Sequence, residues 1–175
     1  GATLRVYDIA GENTREVSNY TLSSGEKRDV AVGKWEFYLS PDAKSCVVIL
    51  QYLDEGMQHT VGIVRLDLSE LNNIKEVGRS EAKGSYITSR YTEKGLLVMC
   101  EYKVDTEKLD YANESTFLPQ IDTGEGEKSI LPKKIIYPDT IFDGRYTVVL
   151  RFDERSFAFT DNLAFLSYSE EIYVS

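Results

Sequence analysis

The sequence predicts an all-β fold, and three observations support this prediction. Tyrosine is frequent for a chain of 175 residues, with 12 copies beside 7 phenylalanines, and aromatic and β-branched residues favour strands. Short apolar stretches alternate with clusters of turn residues, and few segments have helical periodicity. With 42% hydrophobic residues, the chain can bury one sizeable core. We therefore expect a single β domain over residues 1–175 with almost no helix.

The first half of the chain divides into short strands separated by turns. Gly, Asn, Asp, Ser and Pro cluster between the apolar stretches, as at Pro41-Asp42, and these residues favour turns. The strands predicted in this way are 4–8, 17–22, 35–39, 45–53, 61–67 and 74–80. A strand, a tight turn and a second strand recur as a unit.

The clearest such unit begins at Gly84. Residues 84–90 are predicted to form a strand, 91–95 a turn, and 96–100 an apolar strand. Simple alternation places Tyr86, Thr88 and Arg90 on one face of the first strand. Because residues 96–100 are apolar on both faces, we expect the second strand to be covered on both sides.

Three predicted strands end on an aspartate and indicate a repeat. Asp8, Asp67 and Asp153 are separated by 59 and then 86 residues, and the longer interval contains an insert at about 105–144. Without that insert, the spacing of the aspartates fits a four-stranded blade with generous loops. This spacing is near the length of known propeller repeats, which is roughly 40 to 50 residues. The sequence therefore predicts a partial β-propeller of roughly two to three tandem antiparallel blades. We expect the native protein to continue beyond residue 175.

The insert is acidic, rich in glycine and proline, and without sustained periodicity. It is predicted to be a long polar loop, a type that is usually functional or disordered. Asp105, Glu107 and Asp110 could supply carboxylate oxygens to Ca²⁺, but the EF-hand spacing is absent. A solvated acidic loop is the favoured interpretation, and no cofactor is expected.

Catalytic and zinc sites find little support in the sequence. His59 is the only histidine and lies in a polar turn, where an exposed residue is favoured over the base of a Ser or Cys nucleophile. Cys46 and Cys100 lie inside apolar strands, so buried free thiols are favoured over a disulfide or a zinc site.

Net charge disfavours two classes of partner. The formal charge of −9 repels polyanions, so we expect no nucleic acid partner and no attraction to anionic membranes. No apolar run reaches the roughly 18 to 20 residues of a membrane-spanning helix, so no membrane insertion is expected in this chain.

Several landmarks occur in an order that matches a known family. They are Gly84-Ser85-Tyr86-Ile87-Thr88-Ser89-Arg90, Leu118-Pro119, Ile136-Tyr137-Pro138 and Tyr146-Thr147-Val148-Val149. In these the chain resembles secreted prokaryotic proteins with a C-terminal β-propeller domain distantly related to WD40 repeats. It departs from them after Asp67, where the usual prolines are missing from the turn. The resemblance implies a propeller and an extracellular or cell-envelope location, without a known reaction, and makes residues 172–175 the next inner strand.

Inner strands line the central channel of a propeller, so Tyr86, Thr88, Arg90 and Tyr173 are candidate ligand contacts. For Arg90, a role in tying neighbouring blades together is favoured over ligand contact. We expect a non-catalytic binding or scaffold module with a protein or glycan partner. The alternative is a hydrolase acting on carbohydrate or peptide whose site is completed by blades outside this chain. Because a partial propeller exposes blade faces and edges, we also expect self-association.

Overall fold

The computed structural model describes residues 2–10, 13–22, 36–54, 56–137, 139 and 144–166. These residues form strands joined by turns and a few 3₁₀ turns, so the all-β prediction is confirmed. The strands are β1 (Ala2–Asp8), β2 (Arg15–Leu22), β3 (Glu36–Leu39), β4 (Ser45–Leu53), β5 (His59–Asp67), β6 (Lys75–Lys83), β7 (Ser85–Thr92), β8 (Gly95–Lys103), β9 (Gln120–Asp122), β10 (Glu127–Ser129), β11 (Ile135–Ile136), β12 (Arg145–Phe152) and β13 (Phe159–Phe165). The 3₁₀ turns are Leu71–Asn73, Thr106–Lys108, Glu114–Thr116 and Pro132–Lys134.

The strands form three sheets in chain order. The strands β1 and β2 make an antiparallel pair, here called the leading hairpin. The next four strands, β3 to β6, form an antiparallel meander, called blade 1. Blade 2 consists of β7, β8, β12 and β13, also antiparallel throughout. The predicted tandem four-stranded blades are therefore confirmed.

The strand-ending aspartates mark one position in this repeat. Asp67 ends β5 and Asp153 follows β12, and both of these strands are third in their blades. Asp8, Asp67 and Asp153 each accept a hydrogen bond from the backbone N–H two residues later, at 2.8–3.0 Å. These Asx turns lead into the fourth strand. The leading hairpin therefore corresponds to the last two strands of a blade.

The described part of the insert forms short strands that pair with both blades. The hairpin β9–β10 extends blade 1 beyond β6, and β11 pairs in parallel with the outer edge of blade 2 at β13. The insert also contributes buried apolar side chains to the core, namely Leu118, Ile121, Ile130 and Ile135. The sequence predicts a long polar loop here and gives no sign of these elements, because the few apolar residues are too irregularly spaced to register as a strand or helix pattern.

Blade 1 is covered on both faces by apolar layers. Alternate residues of β4 point in opposite directions: Cys46, Val48 and Leu50 pack towards the leading hairpin, and Val47 and Ile49 pack towards blade 2. The apolar strand β8 contributes Leu96, Val98 and Cys100 to the layer between the blades. In the part of the chain that the structure describes, no helix is long and apolar enough to cross a membrane.

Candidate functional site

A single residue, Gly84, connects the two blades. It lies between the end of β6 and the start of β7 and has a φ of 128°. A Cβ atom at this position would lie 2.2 Å from the carbonyl oxygen of Glu101. Its N–H donates a 2.7 Å hydrogen bond to the His59 carbonyl. Only glycine fits this link without displacing backbone, and the link brings the inner strand β7 against blade 1.

The inner strand β7 contains a bulge that changes the face of the sheet on which its side chains lie. Tyr86 pairs with Cys100 but Thr88 pairs with Met99, so Ile87 is the extra residue. The Tyr86 N–H donates instead to the side-chain oxygen of Gln51 in blade 1, at 2.7 Å. As a result Tyr86 lies on the face that packs against blade 1, whereas Thr88 and Arg90 lie on the other face. The prediction that these three residues share one face was wrong, because strict alternation does not hold across a bulge.

Four polar side chains meet where the inner strands of the two blades approach each other. We call Glu36, Tyr38, Tyr86 and Ser89 the inter-blade cluster. The Ser89 hydroxyl donates to Glu36 at 2.6 Å, and the Tyr38 hydroxyl donates to the same carboxylate oxygen at 2.8 Å. Tyr86 and Tyr38 also contact the Ser89 hydroxyl at 2.7 and 2.9 Å. The cluster joins β3 to β7 through hydrogen bonds to a carboxylate, which are stronger than those between neutral groups.

The phenols of the cluster remain protonated at neutral pH. Burial raises the pKa of Tyr86 and of Tyr38, although the hydrogen bonds with Ser89 act in the opposite direction. Each phenol therefore keeps its proton and can donate a hydrogen bond within the cluster. Since one Glu36 oxygen accepts two hydroxyl groups at once, the arrangement suits a fixed tie between blades.

The predicted ligand contacts are separated by this geometry. Tyr86 belongs to the inter-blade cluster, Thr88 is half-buried on the opposite face, and Arg90 is exposed there. Tyr173 and the predicted inner strand at 172–175 lie outside the described residues. Ligand binding by these residues remains a prediction.

A cavity of about 270 Å³ lies beside the inter-blade link. It is bounded by the β4–β5 turn, the Gly84 link and the end of β8, and His59, Lys83, Glu101 and Lys103 are among its lining residues. His59 is exposed, as predicted, at the first residue of β5. Its Nδ1 lies 3.1 Å from the side-chain nitrogen of Gln51, so one glutamine contacts both the histidine and the bulged strand.

Lys83 forms ion pairs that connect the insert to this edge of blade 1. Its ammonium group pairs with Asp54 and lies 3.5 Å from Glu127 of β10. Burial would raise the pKa of Asp54, but the Lys83 ammonium and the N–H groups of Gln58 and Gly56 outweigh it and hold that pKa below its usual value. The ion pair therefore links the β4–β5 turn, β6 and the insert.

Two of the candidate calcium ligands form hydrogen bonds and an ion pair with residues close to them in the sequence. Asp105 accepts a 3.1 Å hydrogen bond from the Glu107 N–H and pairs with Lys108, while Asp110 accepts one from the Ala112 N–H at 2.9 Å. Among the residues that the structure describes, no three His, Cys, Asp or Glu side chains converge as a metal-binding group. The geometry gives these carboxylates a role in stabilising turns.

Both cysteines are free and fully buried, which confirms the prediction for them. Cys46 lies in the layer towards the leading hairpin and Cys100 in the layer between the blades. Burial raises the pKa of Cys46 to about 11 and that of Cys100 to about 12, so both remain thiols at neutral pH.

Sequence reasoning missed three members of the inter-blade cluster. Glu36 and Tyr38 were placed on a strand without a role, and Ser89 was assigned to the face opposite Tyr86. The available signal was the pair Glu36 and Tyr38, which share one face of a short strand.

Comparison with known proteins gives one result. A family model described as a beta propeller domain matches residues 3–175. Searches of curated proteins and of solved structures gave no significant match.

Proposed function

Because the chain belongs to the β-propeller domain family, we propose that it is a non-catalytic binding or scaffold module of a secreted or cell-surface protein. The inter-blade cluster is the observation that carries this proposal. Its hydroxyl groups are committed to hydrogen bonds between blades, with Ser89 held 2.6 Å from Glu36 and 2.7 Å from Tyr86. The extracellular or cell-envelope location is supported by the family resemblance of the landmark residues.

A rigid relation between blades suits recognition. Binding costs less conformational entropy when the contact residues already hold their positions, and the cluster fixes β7 against blade 1 through charge-assisted hydrogen bonds. The opposite face of β7 carries Thr88 and the exposed Arg90. We assign these two residues as ligand contacts for a protein or glycan, since a guanidinium group can donate several hydrogen bonds to carboxylates or sugar hydroxyls. Tyr173 is retained as a third contact on the basis of the resemblance.

The direct test is a glycan and peptide array probed with the full-length propeller. We expect saturable binding to at least one class of probe. Arg90→Gln should weaken that binding about tenfold, as expected for the loss of a charged hydrogen bond. Arg155→Gln is the matched control, since Arg155 is an exposed arginine in the β12–β13 turn.

Catalysis is the outcome that would contradict the proposal. The same full-length propeller should be incubated with a panel of glycosides and peptides and examined for products. Multiple turnovers that survive further purification would favour the hydrolase alternative. Equal binding by Arg90→Gln and the unmodified protein would remove Arg90 from the contact surface while leaving the binding function in place.

A further inference from the structure

The cavity beside the Gly84 link lies between two blades that both belong to this chain. Its polar wall is shared by blade 1 and blade 2, which supply Gln58, His59, Lys83, Glu101, Tyr102 and Lys103. Its volume of about 270 Å³ is just below the roughly 300 to 1,000 Å³ of pockets that hold drug-sized ligands. The cavity therefore fits one small ring better than an extended chain.

The charges at the cavity balance one another among the described residues. Lys83 pairs with Asp54 and lies 3.5 Å from Glu127. The Arg145 guanidinium lies 3.7 Å from the Glu101 carboxylate. The lysine that ends β8 adds a third cation to these three carboxylates. An ion would gain little net attraction here, and the net charge of −9 opposes an anion, so the cavity suits an uncharged ligand.

His59 presents one defined hydrogen-bond donor to a ligand. The Tyr86 N–H donates to the side-chain oxygen of Gln51, so the NH₂ group of Gln51 is the part that faces the His59 ring. Because this NH₂ group is a donor, Nδ1 of His59 accepts from it at 3.1 Å, and the ring proton lies on Nε2. The Nε2–H group therefore remains for a ligand.

Groups of complementary type surround this donor. On the same wall, Lys103 is an exposed donor and Glu101 is a half-buried acceptor. The side chains of Gln58 and Ser85 can each donate and accept. Tyr102 adds a half-buried aromatic ring, which offers an apolar face. The cavity thus combines donors, acceptors and an aromatic surface.

We propose that this cavity binds one neutral sugar unit of a glycan. The hydroxyl groups of a sugar both donate and accept hydrogen bonds, and its C–H groups form an apolar face that can pack on an aromatic ring. An uncharged ring of this kind also matches the balanced charge and the size of the cavity. The inference rests on the proposed binding function, names glycan as the ligand class and adds a site that does not include Thr88 or Arg90.

The experiment titrates the full-length propeller with methyl glycosides of neutral hexoses and with the matching uronic acids. Saturation-transfer NMR would detect binding, and calorimetry would measure the affinity. We expect saturable binding of at least one neutral glycoside. The matching uronic acid should bind about tenfold more weakly, because its carboxylate is desolvated at a site without surplus positive charge.

Two variants at exposed positions locate the site. His59→Phe keeps a ring but lacks the Nε2–H donor, and Lys103→Met keeps a long side chain but lacks the ammonium group. Each should weaken sugar binding about three- to tenfold, as expected for the loss of one hydrogen bond. Lys94→Met is the matched control, since Lys94 is exposed in the turn between β7 and β8, and it should bind as the unmodified protein does.

The outcomes separate this inference from the proposed function. Unchanged sugar binding by either His59→Phe or Lys103→Met would overturn the proposal, and so would tighter binding of the uronic acid. Peptide binding on the array without binding of any sugar would also overturn it, while leaving the proposed binding function standing. Absence of saturable binding to both classes of probe would contradict the inference and the proposed function together.

Discussion

The Ser89 hydroxyl lies 2.6 Å from a carboxylate oxygen of Glu36, and this contact joins the inner strands of two neighbouring blades. Serine and glutamate are 53 residues apart in the chain, so the contact forms only when β7 is seated against β3. Both tyrosines of the inter-blade cluster contact the same serine. Ser89 is therefore the central member of the cluster.

Replacing Ser89 with alanine should destabilise the protein. The change removes the hydroxyl shared by Glu36, Tyr38 and Tyr86, and we expect a loss of about 1 to 3 kcal/mol in the free energy of unfolding. Urea denaturation monitored by circular dichroism would measure it. Ser156→Ala is the control, because its hydroxyl donates to Asp153 and accepts from the Ala158 N–H at exposed positions within one turn. Equal losses for the two variants would contradict the central role of Ser89.

Gly84→Ala should be the more damaging of two glycine substitutions. The new Cβ would meet the Glu101 carbonyl oxygen at 2.2 Å in a backbone with a φ of 128°, and we expect a loss of about 3 kcal/mol or more. Gly126→Ala also acts at a positive φ, but its Cβ would have no atom within 4 Å. That control should lose only about 1 to 2 kcal/mol.

Soluble yield and thermal melting of the two glycine variants would distinguish these effects. If Gly84→Ala fails to fold, its absence from the soluble fraction together with a folded Gly126→Ala already agrees with the prediction. A Gly84→Ala protein that melts with or above Gly126→Ala would show that the link between blades tolerates a side chain.

Local sequence signals were sufficient for much of the fold. The bounds of β4 were predicted to the residue, because an apolar run stands between the turn at Pro41 and the polar residues that follow Leu53. The aspartate repeat located the turn from third to fourth strand because each Asx turn depends on one residue and its immediate neighbours. These features need no knowledge of distant contacts.

The candidate site could not be predicted in the same way. The bulge at Ile87 accompanies a hydrogen bond from the Tyr86 N–H to Gln51, 35 residues earlier. The partners of Ser89 likewise come from a strand about fifty residues away. Alternation within β7 carries no information about either contact, so it placed Tyr86 and Ser89 on opposite faces.

Lowering the pH should reduce the stability of the folded protein, partly through protonation of Asp54. Its pKa is held below the usual value in the folded protein, so the stability that it contributes is present above the unfolded-state pKa of about 3.9. That contribution should be lost as pH falls through the lower, folded-state pKa. Asp54→Asn should be less stable than the unmodified protein at pH 7 and should lose less stability on acidification.

Urea unfolding at several pH values would test the role of Asp54. Glu93→Gln is a suitable control, since Glu93 is exposed in the tight turn between β7 and β8. At each pH, its free energy of unfolding should agree with that of the unmodified protein to within about 0.5 kcal/mol. The Asp54–Lys83 link would be unimportant if the Asp54→Asn profile coincided with the control at every pH.

The two thiols should react only after unfolding. Both side chains are fully buried, and burial raises the pKa of Cys46 to about 11 and that of Cys100 to about 12. Little thiolate is available at neutral pH. The labelling is done at about pH 7.5, which is roughly one unit below the usual thiol pKa. A thiol reagent should then label neither cysteine in the native protein and both cysteines in urea. Rapid labelling without denaturant would show that these strands open readily.

Self-association should involve the face of blade 2 that is turned away from blade 1. Val149 and Leu163 are direct cross-strand partners on this face and remain partly exposed. Apolar sheet faces of this kind favour contact with another copy. Val149→Lys should reduce the association because it places a charge in the contact area. Val77→Lys, at a position 53% exposed on β6 of blade 1, should leave the association unchanged. Light scattering over a concentration series would measure both variants, and a clean monomer at high concentration for the unmodified protein would contradict the prediction.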